Sequence, residues 1–233
     1  MNPFLFPFHL YQNKRLKKLY RETVFSKEYS LKYLRRYFPK ELFSKKLDVL
    51  DFGCGMGRIS QMFATLGHTV TAIDKVRYHT WKKYPEISFL QSDNTFELLK
   101  SIQDRFDVVI IFQVSRYLPN YLEIWKELAG KLKPDGMMLV QLVSRNNLVT
   151  RLTGKKLGKN NENTVDFSVL ETTKNFKHLD LEIVEFSTEG IHIPYLEFLS
   201  EVFFNPVSTL YFKVTNLLPD KICSEITFLA CRS

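Results

Sequence analysis

Residues 49–60 read VLDFGCGMGRIS, an apolar run that breaks into glycines at positions 53, 55 and 57. Glycine is costly to order inside a strand or a helix. Three in alternation therefore need a reason, and close approach of the backbone to a bound ligand is the leading one. LDVLDF (47–52) before them is strand-like and RISQMFATLG (58–67) after them has helical spacing, so the turn joins a strand to a helix. The same alternation continues down the chain. TVTAID (69–74), ISFLQS (87–92), FDVVIIFQ (106–113) and GMMLVQLV (136–143) read as strands, with KVRYHTWKKY (75–84), NTFELLKSI (94–102) and NYLEIWKELAGKLK (120–133) as helices between them. Continuous Val/Ile/Leu strands separated by helices predict a parallel sheet covered on both faces. Pro134 and Gly136 read as the stop between the last of these helices and its strand.

The final third changes character. SVLETTKNFKHL (168–179) is helical, and DLEIVEFS (180–187) and EITFLACR (225–232) are strands separated by a long aromatic insertion. The resulting division is a helical N-terminal cap over 1–45 and a main domain over 46–233 that carries a lid at 191–222. Cap and lid are both placed to fold over the open edge of the sheet. The lid aromatics Tyr195, Phe198, Phe203, Phe204, Tyr211 and Phe212 then line an apolar pocket.

A formal charge of +8 invites anionic partners. Around LYQNKRLKKLYRETVF (10–25), Leu10, Leu16, Leu19, Tyr20 and Val24 sit among Lys14, Arg15, Lys17, Lys18 and Arg21. This pattern suits peripheral contact of residues 1–24 with an anionic membrane, or with RNA phosphates. Cys54, Cys223 and Cys231 form no CxxC pair, which fits a reducing, cytoplasmic setting. No apolar run approaches the roughly 20 residues needed to span a bilayer, and no secretory signal or metal-ligand spacing is evident.

In open α/β sheets, ligands bind beyond the carboxyl ends of the strands. Asp74 closes the second strand there, placed to accept hydrogen bonds from ribose hydroxyls. A dinucleotide fingerprint needs G-x-G-x-x-G, whereas this turn is G-x-G-x-G with Arg58 at the third glycine's place. That argues against a nicotinamide oxidoreductase. Asp51, ahead of the turn, would repel a pyrophosphate and suits an ammonium or sulfonium. Carboxylates on both sides of the turn describe a site for a cationic nucleoside, S-adenosylmethionine (SAM).

At these residues the chain resembles the class I SAM-dependent methyltransferases. LDVLDFGCGMG and Asp74 are similar to that family's first two motifs, and LQSDNTFEL, FDVVIIFQVSRYLPN and LAGKLKPDGMMLV to those of its third, fourth and fifth strands. The resemblance is close over 46–143 and weaker beyond. It implies a doubly wound Rossmann-like α/β fold, with a mostly parallel seven-stranded sheet, an antiparallel last strand and helices on both faces. It also implies methyl transfer to a small or lipophilic acceptor, with oxygen preferred. Gly53, Gly55 and Gly57 would approach the methionine part of the cofactor and Asp51 its ammonium. Asp74 would hold the ribose, Asp93 and the backbone of Asn94 the adenine, and Gln113 would lie under the sulfonium. Asp93 has a second reading as a helix N-cap.

Related O-methyltransferases often carry a histidine shortly after the fourth strand, and here Tyr117 takes that place. With an ordinary pKa near about 10, tyrosine is a poor base at neutral pH and a good orienting partner. His192, where the lid begins, is the base candidate by position. Arg145 and Asn146 follow the fifth strand, and Arg145 is placed to clamp an acidic substrate group. The base-modifying DNA enzymes carry an Asn or Asp, two prolines and an aromatic after the fourth strand; FQVSRY lacks the Asn or Asp and the prolines, which disfavours DNA. An RNA methyltransferase and a SAM-binding protein without turnover are the alternatives.

Overall fold

A computed structural model describes residues 26–145, 165–189 and 225–232. Seven strands, β1 (Asp48–Phe52), β2 (Thr69–Asp74), β3 (Ser88–Gln91), β4 (Phe106–Phe112), β5 (Leu132–Val143), β6 (Leu181–Glu189) and β7 (Glu225–Arg232), form one sheet in the order β3-β2-β1-β4-β5-β7-β6. Pairing is parallel from β3 through β5, and β7 runs antiparallel to both of its neighbours. The doubly wound, mostly parallel seven-stranded sheet read from the sequence is the fold observed.

Helices α1 (Lys27–Leu34), α2 (Arg58–Thr65), α3 (Thr95–Ser101), α4 (Tyr121–Gly130) and α5 (Val169–His178) cover the two faces. Side chains alternate across each strand. Val108 and Ile110 of β4 therefore meet Leu34 of α1 and Ile59, Met62 and Phe63 of α2 on one face. Val109 and Ile111 meet Leu99 of α3, Trp125 and Leu128 of α4, and Phe176 of α5 on the other. Burial on both sides explains why the central strands carry unbroken apolar runs. Tyr37 and Phe38, just past α1, belong to the first of these clusters, and the Tyr37 ring packs edge-on against Phe112.

Local signals set the helix ends. The Ser168 hydroxyl accepts the Glu171 N–H at 3.3 Å to start α5, and the Asn94 side chain accepts the Glu97 N–H at 3.2 Å to start α3. Gly67, at φ +94, ends α2 in the left-handed region.

Two local readings are corrected. KVRYHTWKKY is not a full helix: only His79–Lys83 coil, as a short 3-10 turn. The stretch is committed elsewhere, because the Val76 N–H ahead of the turn bonds to Asp74 and the Trp81 indole within it bonds to the glycine turn. The stretch from Pro134 to Gly136 is no gap between helix and strand, since Leu132 already pairs with Phe106 and pairing resumes at Val108 with Met137. The intervening residues bulge out. A Cβ on Gly136 would stand 2.9 Å from the Phe106 carbonyl oxygen, so only glycine fits the bulge.

Residues 1–25 and the lid at 191–222 lie outside the described residues. Among the described residues, no helix is long and apolar enough to cross a membrane, and no cluster of His, Cys, Asp and Glu is arranged to hold a metal ion.

Candidate active site

From β1 the chain steps outward to β2 and β3, then returns to place β4 on the other side of β1. The order reverses between β1 and β4, and the crevice at the carboxyl ends of these two strands is where an open sheet of this kind binds its ligands. The glycine turn enters that crevice from β1, and Gln113 from β4.

The turn is tied down from the β2 side. The carbonyl of Ile73 accepts the N–H groups of Gly53 at 2.8 Å and Cys54 at 3.0 Å. One oxygen of the Asp74 carboxylate accepts the Gly55 N–H at 2.7 Å, and the other accepts the Val76 N–H at 2.8 Å. The Trp81 indole N–H donates to the Gly55 carbonyl and the Thr80 hydroxyl to that of Met56, each at 2.9 Å. Trp81 is itself braced by stacking on Phe89, with ring centroids 4.6 Å apart.

All three glycines have positive φ, yet their surroundings differ. A Cβ on Gly53 would stand 2.5 Å from Val114, and one on Gly57 would stand 2.8 Å from Phe89. These two are glycine because the protein packs against itself there. A Cβ on Gly55 would meet nothing within 4 Å, so this residue presents bare backbone to open space. Met56 and Val76 flank the same opening as exposed apolar side chains.

Asp51 lies behind the turn, 1% exposed, and accepts the Ser60 hydroxyl at 2.6 Å. Burial pushes its carboxyl up to about 6, against the lowering effect of the Ser60 hydrogen bonds and with a further push from the Asp74 charge. The Cys54 thiol is driven up by burial and by these two carboxylates, which leaves it inert as a nucleophile.

Asp93 is exposed, and the helix cap beside it is its neighbour Asn94, whose own N–H donates to the Ser92 hydroxyl oxygen at 3.1 Å. Gln113 sits at φ +58, and its N–H donates to the Gln141 carbonyl at 2.9 Å. Its side-chain amide donates to the Gln141 side chain at 3.0 Å and to the Glu225 carboxylate. Tyr117 ends a short 3-10 turn at the same rim and is 55% exposed. Arg145 is committed to its own chain, donating to the Asp166 carbonyl at 3.1 and 3.2 Å and to Glu171 at 2.8 Å. His192 and Asn146 lie outside the described residues.

The structure therefore gathers Asp51, the three glycines, Asp74 and Gln113 around one crevice, with Tyr117 at its rim. It adds residues that sequence reasoning passed over. Trp81 gave no signal inside a basic segment. Gln141 did, as a polar residue in the otherwise apolar run GMMLVQLV.

The family model of a methyltransferase domain matches residues 20–185, well over half of the chain. The chain belongs to the methyltransferase domain family. Among curated relatives, this chain is 30% identical over 132 residues to the ubiquinone biosynthesis O-methyltransferase of Rickettsia akari, covering 54% of this chain and 51% of that protein. It is 36% identical over 107 residues to the protein of the same name from Rickettsia felis, covering 43% of each. The chain thus spans about half the length of the curated relatives it matches. Among solved structures, the plantazolicin methyltransferase BamL, crystallised with a triazolic desmethylPZN analogue and S-adenosylhomocysteine (SAH), superposes with a TM-score of 0.60 at 14% identity. The match covers 94% of this chain and 90% of that one. Magnesium protoporphyrin IX methyltransferase of Synechocystis, with bound SAH, gives 0.57 at 15% identity over 94% and 86% of the two chains. Both likenesses are of fold.

Proposed function

We propose that this methyltransferase uses SAM to methylate a small or lipophilic acceptor, at oxygen, by in-line displacement. The observation that carries the reading is the bare face of Gly55, open between the Asp51 and Asp74 carboxylates at the crevice where the strand order reverses. When bound, SAM supplies a methyl already activated on a cationic sulfur. The protein's own residues then have to bind, orient and keep out water.

Asp51 suits the ammonium end. Its burial leaves a carboxyl that gains from a neighbouring cation, and pairing would draw it into the ionised form. Each Asp74 oxygen already accepts one backbone N–H, and each keeps a second lone pair for a ribose hydroxyl. Val76 and Met56 offer apolar cover. Gln113 stands on the β4 side, toward the reacting methyl, and Tyr117 is placed to orient an incoming acceptor. Asp93 and Asn94 are assigned to the adenine with less support, since the Asn94 N–H is already taken by Ser92.

The relatives' name favours an oxygen acceptor. For a lipophilic acceptor, the basic and apolar residues 1–24 would rest on an anionic membrane surface in the cytoplasm. Calorimetry on the full chain should give heat with both SAM and SAH, and SAH release should follow when a lipophilic hydroxyl acceptor is supplied. No heat with either nucleoside sinks the reading. Pelleting with anionic liposomes that persists undiminished without residues 1–24 would remove the membrane contact.

A further inference from the structure

A row of polar side chains crosses the carboxyl edge of the sheet from β4 to β7, beyond the cofactor crevice. The Gln113 amide donates to the Gln141 side-chain oxygen and to the Glu225 carboxylate, and the Gln141 amide donates to the Thr227 hydroxyl at 3.3 Å. Gln141 is 1% exposed and Thr227 3%, and the two face each other in register on β5 and β7. Both occupy positions that an apolar side chain would fill at no polar cost. The row aligns Gln113, and Gln113 in turn aligns Glu225. Gln113 adopts φ +58, unusual for a residue with a Cβ, and its N–H is anchored on the Gln141 carbonyl.

The row begins at the glycine turn. Phe52 of β1 pairs with Ile111 of β4, which sets Gly53 level with Phe112, and Val114 lies against Gly53. From there β7 stands two strand spacings from β4, about 10 Å, and the Gln113–Glu225 hydrogen bond bridges the gap over β5. In-register neighbours of Glu225 are Val143 on β5 and Glu189 on β6. The other carboxylates of the crevice are set differently, Asp51 buried behind the turn on Ser60 and Asp74 on the β2 side.

We propose that Glu225, presented by Gln113, receives the acceptor hydroxyl and takes its proton during methyl transfer. This rests on the methyl-transfer reading above. The acceptor oxygen forms its bond to the methyl carbon as the sulfur–carbon bond breaks, and sulfur keeps that electron pair as a neutral thioether. The hydroxyl proton passes to the Glu225 carboxylate and from there to solvent. The ligand class this selects is an un-ionised hydroxyl compound, for which a phenol is a convenient probe, because a carboxylate facing the hydroxyl opposes its ionisation in the ground state.

The test uses the full chain saturated with SAH and 4-nitrocatechol, a phenol whose ionisation is read from its absorbance. The wild-type protein should bind the protonated form and raise the probe's apparent pKa by about one unit or more. Glu225→Gln should abolish the upward shift while SAH affinity stays within about twofold, and Glu225→Asp, which keeps a carboxylate, should retain it. An equal shift in Glu225→Gln, or wild-type protein that binds SAH but leaves nitrocatechol unbound or unshifted, overturns the role of Glu225. Absence of SAH binding to the wild-type protein overturns the methyl-transfer reading instead.

Discussion

The Arg116 guanidinium and the Asp166 carboxylate meet at 3.0 Å with both side chains almost wholly removed from water. The Arg116 carbonyl also accepts the Val165 N–H at 3.0 Å, so the segment after β4 is locked to the segment before α5. Breaking a buried ion pair by removing one member costs about 3–5 kcal/mol. Asp166→Asn should lower stability by that order in urea titration. Replacing both residues by apolar ones of similar size should cost less than the single change.

Alanine at Gly53 and at Gly55 should separate packing from binding. Gly53→Ala drives a methyl into Val114 and should destabilise the fold by more than about 2 kcal/mol. Gly55→Ala meets no atom, so its stability loss should stay within the roughly 1–2 kcal/mol of a left-handed residue. SAH affinity should nonetheless fall at least about tenfold, since the methyl would occupy the space offered to the ligand. Thermal melts and calorimetry on the two variants would read both effects.

Asp51 gives the ligand-free protein a defined pH dependence. Its folded pKa of about 6 lies above the unfolded value of 3.8, so the folded state holds this proton more tightly. The contribution is full below pH 3.8 and is lost as pH rises through about 6, a change on the order of 3 kcal/mol. Asp51→Asn should flatten that part of the stability profile. If the carboxylate pairs with the ligand's ammonium, SAH binding near pH 5.5 should also release a proton, visible as binding heat that depends on the buffer, and the variant should release none.

His68 acts in the opposite sense. Its Nδ1 accepts the Leu47 N–H at 3.2 Å, and the ring lies between Phe43 and Phe63. Burial holds its pKa below 6.5, with Asp107 pulling the other way. The neutral ring is the folded form, so this contribution is complete above pH 6.5 and is lost as pH falls below it. Stability measured between pH 7 and 5 should drop less steeply in His68→Gln than in the wild-type protein.

The sheet was readable from the sequence because its central strands are buried on both faces, which leaves uninterrupted runs such as Val108–Ile111. The crevice was readable because a glycine turn between two carboxylates is a local pattern. What escaped depends on partners far apart in the chain. Arg116 finds Asp166 fifty positions on, and Gln113 reaches Glu225 from the last strand. No periodicity encodes such meetings. The cap of α3 fell to Asn94 and not to Asp93 because the two differ by one backbone step, which composition does not resolve. The bulge over Lys133–Gly136 hides behind an ordinary turn signature, and only the Phe106 carbonyl reveals why glycine is required there.

Ser144 and Phe167 lie side by side as a parallel bridge, with the Arg145 N–H on the Phe167 carbonyl and the Phe167 N–H on that of Val143. The chain therefore departs from the sheet and rejoins it at a single riveted point. Holding Ser144 beside Phe167 ties the end of β5 to the start of α5, so a slip of either one has to drag the other with it.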